Sequence, residues 1–117
     1  MASCINWTDQ QWAMHFGMSV KNIPMIRRFV TEHYTATIVK HKETSKYFVA
    51  VYKYDISPSG FKRPILMVTS KEGFDKSDEA VTYANEQFLP GLRLTEFWAK
   101  AFGVPEKALQ MLFVKER

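Results

Sequence analysis

The block Trp12-Ala13-Met14-His15-Phe16-Gly17-Met18 returns 86 residues later as Trp98-Ala99-Lys100-Ala101-Phe102-Gly103-Val104. In each copy an Ala lies four residues before a Gly, and a hydrophobic residue follows the Gly. A small Ala lets two helices approach closely, and Gly supplies the backbone freedom to turn between them. Apolar residues then stand where a second helix would need them: Ile23 and Ile26 after the first turn, Leu109 and Leu112 after the second. Both ends of the chain are therefore expected to form a helix that stops at a glycine corner.

This spacing resembles the helix-turn-helix motif of DNA-binding proteins, at both ends of the chain and not in the middle. The resemblance implies a double-stranded DNA partner, operator binding and dimerisation. If the second helix of the first copy begins near Ser19, then Ser19, Lys21, Met25 and Arg28 take groove-facing positions and Arg27 reaches phosphate. Arg can make bidentate contacts to guanine, whereas Lys and Ser hold the backbone or read a base edge. Pro24 departs from the pattern, because a proline past the first turn removes a backbone hydrogen bond. The other register starts the helix nearer Asn22 or Ile23, with Met18 to Asn22 as a longer loop. In the second copy Glu106, Lys107 and Gln110 form a mixed exposed surface, which favours a structural corner packing Trp98 and Phe102 into the core.

Charge distribution points to the same partner class. Lys21 to Arg63 carries nine Lys or Arg against three acidic residues, whereas Pro64 to Arg117 carries seven against eight. A polyanion prefers the first stretch if its charges converge in space; an ordinary solvated surface is the alternative. Lys40, Lys42 and Lys46 in and beside the first strand connection, with Lys53, Lys62 and Arg63 beyond, extend the contact begun by the N-terminal helices.

Local chemistry fixes the expected elements. Thr8 and Gln11 form a capping box, and Trp7 and Trp12 occupy the hydrophobic-staple positions, so a helix runs from about Asp9 to Phe16. Gly17 takes a left-handed turn and Ser19 can cap the next helix. Tyr34 to Val39 and Tyr47 to Tyr54 read as strands joined through polar His41 to Lys46. Ser57-Pro58-Ser59-Gly60 turns the chain into a third strand at Ile65 to Val68. The three make an antiparallel meander with one buried face. Asp75 or Ser77 caps a helix with Asp78 and Glu79 in its first turn and Ala80 or Val81, Ala84 and Phe88 on its apolar stripe; Pro90-Gly91 breaks it. Thr95 caps a helix bearing Phe97, Trp98, Ala101 and Phe102, Gly103 closes it, and Pro105 opens a final helix.

At 117 residues and 46% hydrophobic the chain supports one compact domain spanning residues 1–117. The expected fold is α+β: an N-terminal helix pair, a three-stranded antiparallel sheet, and C-terminal helices packed on the sheet. The one cysteine, Cys4, allows no intramolecular disulfide and no zinc cluster, which fits a reducing interior. No apolar run reaches the ~18 residues of a membrane span. The N-terminus lacks a signal-peptide pattern, so a cytoplasmic location and no membrane partner are expected.

Enzyme chemistry finds little footing. His15, His33 and His41 lack a local metal-ligand spacing, Cys4 has no orienting framework, and no phosphate-loop or dinucleotide-binding glycine pattern occurs. Caps and helix-dipole partners account for Asp75, Asp78 and Glu79. No catalytic residue, metal or cofactor is expected. The functional expectation is a non-enzymatic DNA-binding or regulatory protein. The alternative is a protein-protein interaction module, a small regulator or inhibitor, that uses the amphipathic rings of Tyr34, Tyr47, Tyr52 and Tyr54.

Overall fold

A computed structural model describes residues 7–114; Cys4 lies outside them. Helix α1 is Asp9–Phe16, and it starts as its cap chemistry requires. Thr8 Oγ1 accepts from the Gln11 N–H at 3.2 Å, and Gln11 Oε1 accepts from the Thr8 N–H at 2.8 Å. The staple is present too, with the Trp7 and Trp12 rings 4.9 Å apart. A tight 3-10 turn, Val20–Asn22, leads into α2, Ile23–His33, with Pro24 in its first turn where its missing N–H costs nothing. The register starting at Ile23 is thus the one adopted.

The chain passes from α2 directly into β1 (Tyr34–Lys40), which pairs antiparallel with β2 (Tyr47–Ile56); β2 pairs antiparallel with β3 (Lys62–Thr69). The sheet order is β1-β2-β3, the expected meander. The β1–β2 connection closes through the His41 N–H to the Lys46 carbonyl at 2.9 Å. Between β2 and β3 the register shifts beside Val51 and Tyr52. Val51 lies opposite Val68 and Tyr52 opposite Leu66, so Met67 is the extra residue and packs into the helical core.

Helix α3, Ser77–Tyr83, runs without a break into a widened π turn, Ala84–Phe88, and a last short turn, α4, Leu89–Gly91. The helical run therefore continues through Pro90 and Gly91 rather than stopping before them. In a regular helix Pro90 would collide with the Glu86 carbonyl and leave it without its donor. The wider turn, in which the Leu89 N–H reaches back five residues to the Ala84 carbonyl, accommodates it. Asn85 sits in this turn, 7% exposed, and its side chain pairs with both backbone groups of Val114. Helix α5, Glu96–Phe102, follows, and a 3-10 turn, Ala108–Met111, takes the place of the expected final α-helix.

The fold is α+β as expected: N-terminal helices, a three-stranded antiparallel sheet, and C-terminal helices packed against it. One group of core residues gathers Trp12, Ile23, Ile26, Phe29, Val30 and Tyr34 with Ala99, Val104 and Leu109. A second joins Val49 and Val51 of the sheet to Ala84, Leu89 and Val114. Among the described residues no helix is long and apolar enough to cross a membrane.

Tyr34 is 1% exposed and its hydroxyl has no hydrogen-bond partner among the described residues. Burial pushes its phenol up to about 12, so the folded state holds the neutral form more firmly than the unfolded chain does. That contribution is complete below the ordinary tyrosine value and is lost as pH rises from there through about 12. Tyr34→Phe removes the hydroxyl and keeps the ring. It should leave stability unchanged or raise it by up to about 1 kcal/mol, and soften the alkaline loss. Denaturant unfolding at neutral and alkaline pH measures both; a destabilisation above about 1 kcal/mol would show that the hydroxyl has a partner.

Candidate nucleic-acid interface

The repeated block is the same structural device twice. Gly17 (φ 67°, ψ 41°) and Gly103 (φ 66°, ψ 28°) both end a helix in the left-handed conformation. The residue after each glycine donates its N–H to the alanine carbonyl five residues back, Met18 to Ala13 at 3.0 Å and Val104 to Ala99 at 3.1 Å. In each copy the Trp and Phe stack, Trp12 on Phe16 and Trp98 on Phe102, with interplanar angles of 21° and 8°. Neither corner leads straight into a second α-helix. Five residues, Met18 to Asn22, separate Gly17 from α2, and among the described residues only the 3-10 turn follows Gly103. The echo encodes two aromatic-backed helix ends around one core.

The cations expected to act together lie in two groups. Ser19, Lys21, Met25 and Arg28 are exposed on the 3-10 turn and α2, whose buried residues Ile23, Ile26, Phe29 and Val30 face the core. Arg27 is held by Asp9 at 2.7 Å. The other group belongs to the sheet and its connections, and much of it is engaged. Lys46 pairs with Asp75 and Arg63 with Asp55, each at 3.5 Å. Lys53 stands 4.1 Å over the Trp98 ring, on the helix-covered side. Lys40 lies 5.6 Å from the Tyr47 ring, and Lys62 5.6 Å from the Tyr54 ring. Lys21, Arg28 and Lys42 have no ion-pair partner among the described residues.

Strand alternation explains what the sheet group surrounds. Val49 and Val51 point to the helices, with Ala36, Ile38 and Val68 packed beside them. Phe48, Tyr52 and Tyr54 therefore point the other way. The register places Val39 opposite Phe48, Thr35 and Leu66 opposite Tyr52, and Pro64 opposite Tyr54. Neither core group contains Phe48, Tyr52, Tyr54 or Leu66. The shortest dimension of the molecule, 23 Å, accommodates one sheet and one helical layer. Leu66 is 53% and Ile56 43% exposed on this second face. At its far end the Phe48 ring lies across Gly73, where an added Cβ would sit 2.7 Å from Phe48 Cζ.

Charge is partitioned between the layers. Residues 34–71, the strands and their connections, hold seven Lys or Arg and two acidic residues; the helical residues 7–33 and 72–114 together hold seven and nine. The four tyrosines of the interaction-module expectation also divide. Tyr34 is core, Tyr47 bridges to Phe74 on the helix side, and Tyr52 and Tyr54 occupy the second face.

The histidines have structural partners. Gln110 Nε2 donates to the Pro90 carbonyl at 2.8 Å, which turns its Oε1 to His15 Nε2 at 2.6 Å, so Nε2 of His15 donates. Gln110 is thus 8% exposed rather than part of a mixed surface. His33 stacks on Phe29, and His41 lies beside Phe48. Among the described residues no group of three His, Cys, Asp or Glu could hold a metal ion. No protein-family model matches the chain, and neither a curated protein nor a solved structure matches it.

Proposed function

We propose that the chain is a non-enzymatic nucleic-acid-binding module whose contact surface is the sheet rather than the helix pair. The observation that carries this reading is the coincidence of the basic strand unit with a sheet face that the helices leave uncovered. A positive surface beside a negative helical layer orients the molecule toward a polyanion before contact. Phosphates then meet Lys42 and Lys46 at one end of the sheet and Lys62 at the other, while Arg63, opposite Asp55, points to the helix side. The cations of α2 belong to the helical layer and do not extend the same surface.

Binding of a fluorescently labelled oligonucleotide should weaken steeply as salt rises. Lys42→Ala and Lys62→Ala should each weaken it across all sequences and lower the slope of log K against log salt by about one. Anisotropy titrations over a salt series provide the measurement. Absence of binding at low salt by folded, monodisperse protein would overturn the proposal. Equal affinity for polyglutamate would move the partner to an acidic protein surface, the regulator reading.

A further inference from the structure

We infer that the uncovered sheet face is a stacking platform for single-stranded nucleic acid, with Tyr52 and Tyr54 as its two base-binding rings. The inference rests on the nucleic-acid reading above and adds the strandedness of the ligand and the side chains that select it.

The two rings stand on the same face of β2, two residues apart, and so about 7 Å apart along the strand. That is twice the ~3.4 Å rise per base of a duplex strand. Bases seated on both rings must be unstacked from each other, which a single strand tolerates and a duplex does not. The π faces of a duplex are also hidden inside its own stack, whereas every unpaired base offers one.

The surroundings of the rings suit this ligand. Leu66 and Pro64 border Tyr52 and Tyr54 on β3, giving apolar contact beside each base plane. The extra residue at Met67 produces this arrangement: with unbroken pairing Met67 would lie opposite Tyr52, but it turns into the helical core and leaves Leu66 there. Lys62 Nζ lies over the Tyr54 ring at 5.6 Å, a mobile cation that a base stacking on that ring would displace toward its own phosphate. Lys42 and Lys46 lie past the other end of the face, in the β1–β2 connection, where the strand would continue. Apart from Lys62, the polar side chains opposite β2 on this face are the hydroxyls of Thr35, Thr37 and Thr69. Single hydroxyls lack the paired donor and acceptor that discriminate bases, so stacking sets the affinity and sequence preference is weak.

The test compares a labelled single-stranded oligonucleotide of mixed sequence with its duplex at one salt concentration. Wild-type protein should bind the single strand at least tenfold more tightly. Tyr52→Leu and Tyr54→Leu should each lose about tenfold on the single strand, with the salt slope unchanged and duplex affinity little altered. Tyr52→Phe and Tyr54→Phe keep the π face and should retain the wild-type affinity, which separates stacking from loss of the hydroxyl. Circular dichroism checks that each variant is folded. If the duplex binds as tightly as the single strand, or if the Leu variants match wild type, the platform is overturned while the nucleic-acid reading stands. If no oligonucleotide binds at low salt, both fall.

Discussion

Replacing Asn85 with Leu is expected to destabilise the fold by about 2–4 kcal/mol, because two buried backbone groups lose their partner in one step. The Asn85 side chain donates from Nδ2 to the Val114 carbonyl at 3.0 Å and accepts from the Val114 N–H at 2.9 Å. Leu keeps the branching and heavy-atom count of Asn but replaces its polar atoms with bulkier methyl groups, so the change removes both hydrogen bonds and adds some crowding. Val114 is 4% exposed and packs with Val49, Val51, Ala84 and Leu89. Releasing the C-terminal segment therefore opens the core between the sheet and the π turn, and the loss is felt beyond the last few residues. Asn85→Asp keeps the acceptor and loses the donor, so its effect at neutral pH should include an unpaired Val114 carbonyl facing a carboxylate. Denaturant unfolding gives the size, and hydrogen exchange at the Val114 amide gives the place. A cost below about 0.5 kcal/mol with unchanged exchange would show that the segment is held by other contacts.

Asn85 also marks a limit of what the sequence discloses. Thr8, Gln11 and Gly17 act within a few residues of one another, so the start and end of α1 were legible from composition and spacing alone. The strands were legible because β-branched and aromatic residues cluster between turn signals. Asn85 and Gln110 look like ordinary surface residues in one dimension. Their partners, 29 residues away at Val114 and 95 residues away at His15, exist only after the chain has closed. Pro90 reads locally as a stop, yet the helical run passes through it, because a wider turn relieves the collision and tertiary packing of Ala84 and Leu89 holds the run in place.

The candidate interface was legible in part, through charge. The excess of Lys and Arg in the middle of the chain is a one-dimensional fact, but its division between α2 and the sheet depends on the fold. A further signal lay in β2 itself. Tyr47 to Tyr52 is apolar or aromatic at every position, whereas a strand with one covered face alternates with polar residues. Such a run asks for cover on both faces. The structure supplies helices on the Val49 and Val51 side and leaves Phe48, Tyr52 and Tyr54 on the other. The repeated glycine block by itself marks helix ends and not an interface, since helix-ending corners share its spacing whatever follows them.

Those corners carry the other large expected effect. Gly17→Val and Gly103→Val should each cost about 2–3 kcal/mol, because a β-branched residue resists the left-handed backbone that both positions adopt. The cause can be narrowed: apart from the adjoining chain, no atom of the described residues lies within 4 Å of a Cβ placed at either glycine, so the Cβ itself meets no collision and the Ala variant reads the backbone conformation alone. What fails is the backbone conformation that lets the Met18 and Val104 N–H groups reach the Ala13 and Ala99 carbonyls. Asn enters the left-handed region more readily than other side chains, and its cost should be about 1 kcal/mol, with Ala between Asn and Val. The ordering Asn, Ala, Val is the signature of a conformational effect, and thermal or denaturant unfolding of the six single variants reads it. Val104 is buried beside Ala99, Ala108 and Leu109, whereas Met18 is half-buried. The second corner should therefore lose its packed neighbour along with its cap, and Gly103→Val should be the more damaging of the pair. Equal stability for Asn and Val at both sites would show that these glycines are not required for their backbone freedom, and the repeated block would lose its structural explanation.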